Sequence, residues 1–166
     1  MKILHTADWH LGSFRGPEEN GVNLRSKDTL NCLQEMIRVA KTEKPDLVLV
    51  SGDIFHKAEV WQGRSHKEVL QARSIILELS ECSKKVVVMR GTPNHDSSEA
   101  FEELVAHFEF IENVDIITTP QVLKTNEVDI AVLPGFDRGI FRAKYPGLSK
   151  EEENEVFTKE LGNIVM

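Results

Sequence analysis

The sequence predicts an α/β protein with a largely parallel sheet, and two observations support that prediction. Short apolar runs at residues 2–6, 46–51 and 85–89 each precede a polar motif, which suits buried strands of a parallel sheet. Segments with helical spacing lie between these runs, an order typical of βαβ units. We therefore expect strand, helix, strand, helix, strand and helix along the front of the chain.

The predicted helices follow apolar residues spaced three and four apart. They run from about Arg25 to Glu43, from roughly His66 to Ser80, from near Ser97 onward and from Ser149 onward. Pro45 closes the first helix, because a residue before proline disfavours helical backbone. Asp96 with Glu99, and Ser149 with Glu152, resemble capping boxes.

The connecting segments complete the predicted architecture. A Gly-rich polar loop covers residues 12–23, and a long loop passes through Ala58 and Gly63. In that second loop, Trp61 could pack internally or contact DNA or a partner. Short β-like runs at 114–118, 122–125 and 128–133 predict hairpin pieces of a second sheet. After Gly162 the apolar ending resembles the approach to another element.

Composition limits the class of protein. Of the 166 residues 40% are hydrophobic and 28% are charged, which is typical of a globular protein. No signal peptide and no run near the roughly 20 apolar residues of a membrane span is present, so we expect a cytoplasmic location and no membrane partner. Cys32 and Cys82 lie in apolar helical patterns and are predicted to be reduced core residues, with a disulfide as the alternative. A net charge of −7 argues against a freestanding nucleic-acid binder, although bound cations can supply local positive charge.

Three polar motifs follow the three predicted strands. They are Asp8-Trp9-His10, Gly52-Asp53-Ile54-Phe55-His56 and Asn94-His95-Asp96. Sites in open α/β sheets form outside the carboxyl ends of the strands, so these side chains should meet at one edge. Carboxylate, amide and imidazole groups suit manganese, magnesium, iron or zinc. The motifs therefore predict a metal-dependent hydrolase.

The motifs also carry a resemblance to a known family. Residues 5–12, with 52–56 and 94–96, resemble the SbcD nucleases, the bacterial double-strand-break repair branch of the calcineurin-like metallophosphoesterases. The similarity continues through residues 132–135. It implies the N-terminal part of a four-layer α/β/β/α sandwich, with one mixed sheet flanked by helices and the beginning of a second sheet.

Two departures from the family pattern stand out. Thr92 and Pro93 separate Gly91 from Asn94, where the family reads Gly-Asn-His-Asp. The family also supplies further histidine ligands after the third motif, whereas only His107 follows here. We therefore expect residues 1–166 to be the N-terminal part of a nuclease domain that ends before its remaining ligands.

Individual roles follow for the motif residues. We predict that Asp53 bridges two ions, because it follows the central strand directly. Asp8 and His10 are expected on one face as an extended i, i+2 pair, binding the first ion, while the Asn94 amide oxygen binds the second. The alternative for each of these is a turn, cap or loop role. With these four ligands alone two ions are under-coordinated, so weak metal affinity is expected.

The resemblance implies the catalytic roles and the cofactors. His95 would face the scissile phosphate and protonate the leaving oxygen. His56 would position His95 or a phosphate, or else be a surface residue. For Asp96 the capping-box pattern itself predicts a helix cap instead of a metal ligand. The cofactors would be two divalent ions, manganese first, with magnesium or iron as alternatives.

The resulting function prediction is a nuclease subunit with DNA as substrate. By resemblance it would be a manganese-dependent 3′→5′ exonuclease on duplex ends and an endonuclease on single strands and hairpins, in DNA repair and recombination. An SbcC-type ATPase would be its partner, and a homodimer is a further candidate. The alternatives are a phosphoesterase acting on a nucleotide or small phosphodiester, and an inactive fragment or binding module.

Overall fold

A parallel sheet, covered by helices on one face and by a β-hairpin on the other, organises the protein. The structure is a computed structural model and describes residues 1–58 and 66–165. In chain order its elements are β1 (Ile3–Thr6), β2 (Glu18–Glu19), β3 (Val22–Asn23), α1 (Leu24–Glu43), β4 (Leu47–Ser51), α2 (His66–Cys82), β5 (Lys85–Met89), α3 (Ser98–Phe108), β6 (Val114–Ile117), β7 (Gln121–Lys124), β8 (Asp129–Val132), α4 (Arg138–Lys144) and α5 (Lys150–Val165).

The central sheet has the strand order β1-β4-β5-β6. All three pairings are parallel, with Ile3 opposite Leu47 and Val86 opposite Val114 in register. This confirms the predicted α/β class and the helices that connect the strands. The described sheet is wholly parallel rather than mixed, because every connection within it crosses over through a helix.

The two faces of the sheet bury different partners. On one face Val48, Val50, Val86 and Val88 pack against apolar residues of α1, α2 and α3. On the other face Leu47, Leu49, Val87 and Met89 pack against Leu123, Ile130 and Val132 of the β7–β8 hairpin. Alternate residues of a strand point to opposite faces, so the β4 and β5 runs are continuously apolar. The hairpin is the predicted beginning of a second sheet. The run at 114–118 was predicted to belong to it as well, but this run forms β6, the fourth parallel strand of the central sheet.

Some local predictions are wrong. Strand β1 is not buried, since Ile3 is 46% exposed at the edge of the sheet. Cys32 is exposed and not a core residue, whereas Cys82 is half-buried and packs against the core; both are free thiols, as predicted. The N-cap of α3 is Ser97, whose hydroxyl accepts from the Ala100 amide, so Asp96 does not cap this helix.

The last part of the chain follows the prediction at its start and departs from it at its end. The Ser149 amide donates to Glu152 and the Glu152 amide donates back to the Ser149 hydroxyl, which is the predicted capping box. Helix α5 then continues through Gly162, so no new element begins there. The short helix α4 and the β2–β3 hairpin were not anticipated. The predicted loop through Gly63 and Trp61 lies outside the described residues. Within the described residues, no helix combines the length and the apolar character needed to span a membrane.

Candidate functional site

The loops that follow β1 and β4 are paired through their main chains. The Asp8 amide donates to the Gly52 carbonyl at 3.1 Å, and the His10 amide donates to the Asp53 carbonyl at 3.0 Å. The pairing continues as a bridge between Leu11 and the second loop. The parallel alignment of the two strands therefore extends beyond their ends, and it brings the first motif against the second.

Three of the four predicted metal ligands have left-handed backbone. The φ angles are 54° at Asp8, 47° at His10 and 50° at Asp53. Non-glycine residues rarely adopt this conformation, and such strain is concentrated at functional sites. It also corrects the extended i, i+2 geometry expected for Asp8 and His10: β1 ends at Thr6, and both residues have left-handed instead of extended backbone.

The third loop binds the Asp53 carboxylate. The Thr92 amide and the Thr92 hydroxyl both donate to Asp53 Oδ1, at 2.7 Å and 3.0 Å. The Thr92 carbonyl in turn accepts the amides of His95 and Asp96. One residue of the third motif loop is therefore hydrogen-bonded to two of the predicted site residues.

Two glycines allow the loops to approach this closely. A Cβ atom on Gly91 would lie 2.1 Å from the Asp53 nitrogen and 2.2 Å from its Oδ1. A Cβ atom on Gly135 would lie 1.9 Å from the Gly91 carbonyl oxygen, and the Gly135 amide donates to the Arg90 carbonyl at 2.8 Å. Residues at both positions need to lack a side chain because backbone occupies the space.

Asp96 links the loop that follows β4 to the loop that follows β5. Its carboxylate is fully buried and accepts the Phe55 amide at 3.1 Å and the Gly91 amide at 2.6 Å. Burial raises the pKa of Asp96 from 3.8 to about 6, although the two amide donors lower it. Asp96 is therefore a structural carboxylate that ties two loops together, instead of the predicted helix cap.

His10, Asp53 and His95 form a group that can hold a metal ion. Ligand atoms of these three residues lie within 4.8 Å of one another. His10 Nδ1 is buried and has no hydrogen-bond partner among the described residues. Buried polar atoms without a partner are rare in proteins, and a bound cation would satisfy this one. Two imidazoles and a carboxylate suit manganese, iron or zinc, so the residues fit a divalent cation.

His95 is oriented by the main chain of the second loop. Its Nδ1 is 2.7 Å from the His56 carbonyl oxygen, which can only accept, so Nδ1 carries a proton and Nε2 is left for another partner. The centroids of the His95 and His10 rings are 4.5 Å apart. His95 can therefore act through Nε2, either on a substrate or on a cation.

The His56 side chain lies beside the site rather than in the metal group. Its ring centroid is 4.2 Å from that of Phe14 and 5.9 Å from that of His10. Burial, and then the charges of His10 and Lys57, lower the pKa of the His56 imidazole below 6.5. His56 contacts His95 through its carbonyl oxygen, so this position depends on its backbone.

Asp8 and Asn94 lie at the exposed rim. The Asp8 side chain is 70% exposed, and its Oδ1 is 3.6 Å from His10 Nε2. Asn94 is exposed, and its carbonyl accepts the Ala58 amide at 3.0 Å. Trp9, between two predicted ligands, is buried and donates to the Thr6 hydroxyl at 3.0 Å.

Sequence reasoning missed two contributors to this site. The sequence identifies Thr92 only as a departure from the family pattern, and Asp96 only as a predicted helix cap. The tight Gly91-Thr92 pair before Asn94 was a usable signal for Thr92, because a hydroxyl and an amide there can reach a carboxylate on the neighbouring loop. No sequence signal distinguished a buried Asp96 from an exposed cap.

The chain is similar to known phosphoesterases. A family model described as Calcineurin-like phosphoesterase matches residues 1–158. The SbcD component of the SbcCD nuclease of Staphylococcus saprophyticus is 35% identical to this chain over 99 residues. That match covers 60% of this chain and 24% of the relative, so the chain matches about a quarter of the length of this curated relative.

Proposed function

This chain belongs to the calcineurin-like phosphoesterase family, and on that premise we propose that it hydrolyses phosphodiester bonds of DNA with divalent metal ions. The observation that carries the proposal is that side-chain atoms of His10, Asp53 and His95 lie within 4.8 Å of one another. In the proposal His10 and Asp53 hold the cation, and His95 lies close enough to act on a phosphate bound to it. Its similarity to a component of a nuclease favours DNA over a small phosphodiester as the substrate.

The metal ligands in this proposal are Asp8, His10, Asp53 and Asn94. Cations bound there would lower the pKa of a water molecule and offset the charge of a phosphate. Asp53 and His10 would contribute from the inner part of the site, while Asp8 and Asn94 would complete it from the rim. We propose manganese as the ion, with magnesium or iron as alternatives.

His95 is the proposed general acid. When its imidazole is protonated, Nδ1–H donates to the His56 carbonyl and Nε2–H is free to transfer a proton. As the bond from phosphorus to the leaving oxygen breaks, that proton would neutralise the oxygen, a contribution of about 10²- to 10⁴-fold in rate. His56 would support this step by holding the ring in place.

The more specific activities that we propose are inferred from the similarity to the nuclease component. They are 3′→5′ cleavage from duplex ends, endonuclease action on single strands and hairpins, and assembly with an SbcC-type ATPase. A homodimer and a cytoplasmic location belong to the same proposal. The positive charges of Lys57 and Arg25 help to lower the pKa of His56, so both side chains lie near the site. In this proposal they attract the negatively charged DNA backbone.

The test is manganese-dependent cleavage of an end-labelled linear duplex by the wild-type chain and by His95→Ala. We expect the substitution to reduce cleavage by about a hundredfold or more while Mn²⁺ binding persists. His56→Ala should have a smaller effect, because its carbonyl remains. His107→Ala is the matched control, since that histidine bonds Arg73 at 2.5 Å, away from the three motifs.

Other outcomes would change the assignment. Loss of both cleavage and Mn²⁺ binding in His95→Ala would make His95 a metal ligand rather than an acid. Hydrolysis of a small chromogenic diester without any DNA cleavage would favour a small-substrate phosphoesterase. Wild-type protein that neither binds Mn²⁺ nor cleaves either substrate would support an inactive binding module.

A further inference from the structure

Thr92 holds the Asp53 carboxylate more closely than any other described residue. Its amide and its hydroxyl both donate to Oδ1, at 2.7 Å and 3.0 Å, and no donor among residues 1–58 and 66–165 reaches Oδ2. Each carboxylate oxygen has about two lone-pair sites. The two bonds from Thr92 therefore use the capacity of Oδ1 and leave Oδ2 open.

We propose that Thr92 is a positioning residue that orients Asp53 so that Oδ2 is the oxygen available to a cation. The inference rests on the proposed function, because it assumes that Asp53 binds metal. It sharpens the expected bridging role: coordination through both oxygens of Asp53 would require Thr92 to give up a bond, whereas coordination of one ion or two through Oδ2 alone requires no change.

The position of Thr92 is itself determined by the site. Its carbonyl accepts the His95 amide at 3.0 Å and the Asp96 amide at 2.8 Å. The buried Asp96 carboxylate also accepts a hydrogen bond from the amide of Gly91, the residue before Thr92. Thr92 therefore connects the proposed metal ligand Asp53 to the proposed acid His95 by direct hydrogen bonds.

The side chain of Thr92 is well suited to substitution. The residue is exposed, so replacing it removes little packing. Thr92→Val keeps the size and the branched shape and removes only the hydroxyl donor, while the amide bond to Oδ1 remains. Thr92→Ser keeps the hydroxyl. A purely steric role predicts that Val is the better replacement, and a positioning role predicts that Ser is.

The experiment is a Mn²⁺ titration of the wild-type chain and both variants, followed by the relaxation of water protons. Partners of metal ligands typically contribute 10- to 100-fold to affinity, so we expect Thr92→Val to raise the Kd about tenfold or more. Thr92→Ser should stay within about twofold of wild type. Thr42→Val is the control, because its hydroxyl bonds the Arg38 carbonyl on an exposed helix face.

Thermal unfolding in EDTA completes the test. Equal midpoints for wild type and Thr92→Val, together with weaker Mn²⁺ binding, would support positioning. A wild-type Kd in Thr92→Val would overturn the inference and leave the proposed function intact. A loss in Thr92→Ser equal to that in Thr92→Val would also overturn it, because the hydroxyl would then be irrelevant. Wild-type protein that binds no Mn²⁺ would overturn the proposed function and this inference together.

Discussion

The edge of the sheet that carries the site and the C-terminal segment, residues 138–165, are held together differently. At the site edge, formed by residues 7–12, 52–58 and 90–96, main-chain hydrogen bonds join the loops, three residues have left-handed backbone, and an added Cβ on Gly91 would lie within 3 Å of other atoms, so little freedom is left. In the C-terminal segment, exposed ion pairs join α4 to α5, and the Phe157 ring of α5 stacks on Phe136, just before α4. The same kind of substitution should therefore change the free energy of unfolding very differently in the two regions.

The C-terminal segment relies on contacts that solvent can reach. Arg142 pairs with Glu153 and Lys144 pairs with Glu160, both at 2.7 Å, and the two basic side chains are more than half exposed. The Phe136 and Phe157 rings stack at 4.3 Å between centroids. Such contacts tolerate adjustment, because side chains on a surface can move without displacing backbone.

The largest effect is expected for Gly91→Ala. The added Cβ would overlap both the Asp53 nitrogen and its Oδ1, and neither can move without breaking the pairing of the loops. We expect a loss of about 3 kcal/mol or more in the free energy of unfolding. Urea unfolding measures this loss. An unchanged free energy of unfolding would show that the loops at the site edge can move apart to accommodate the added methyl group.

Asp96 should make stability depend on pH. Its pKa is raised from 3.8 to about 6 in the folded protein, so folding takes up a proton between these values. The stabilising contribution is complete below about pH 4 and is lost as the pH rises through about 6, amounting to about 3 kcal/mol.

Asp96→Asn removes this titration. The free energy of unfolding of wild type and variant is measured in urea at several pH values between 4 and 7. The stability of wild type relative to the variant should fall as the pH rises. Carboxylates elsewhere titrate equally in both proteins and cancel. Parallel pH profiles would mean that Asp96 does not carry the proton.

Gly162→Ala is the same glycine-to-alanine change as Gly91→Ala, placed in the C-terminal segment. Here we expect the free energy of unfolding to rise and not to fall. An added Cβ meets no atom within 4 Å among the residues whose placement the structure describes, and Gly162 lies inside α5. Alanine costs less backbone entropy than glycine in a helix, so we expect a gain of about 0.5 to 1 kcal/mol. A thermal melt detects it, and destabilisation would argue that this helix end packs more tightly than described.

The smallest effect is expected for Arg142→Gln. The guanidinium donates to both carboxylate oxygens of Glu153, but it is 53% exposed and screened by water and salt. Exposed ion pairs contribute little to the free energy of unfolding, so we expect a loss smaller in size than the gain for Gly162→Ala. A loss in urea unfolding close to the one expected for Gly91→Ala would mean that the two regions differ less than proposed.

Much of the fold could be predicted from the order of the residues. The apolar runs of β4 and β5 and the helical spacing in α1 and α2 are local patterns, and burial imposes them wherever the element packs. The edge position of β1 was not predictable, because exposure depends on which strands become neighbours. The left-handed backbone at Asp8, His10 and Asp53 was not predictable either, since no residue type there requires it.

The sequence by itself determined that polar residues follow three strands and that they are of types suited to metal ions. Only the tertiary structure decided that His10, Asp53 and His95 approach within 4.8 Å, that Asp96 is buried, and that Thr92 binds Asp53. The physical reason is that composition and spacing act along the chain, whereas burial, hydrogen-bond geometry and close glycine contacts arise between loops far apart in sequence.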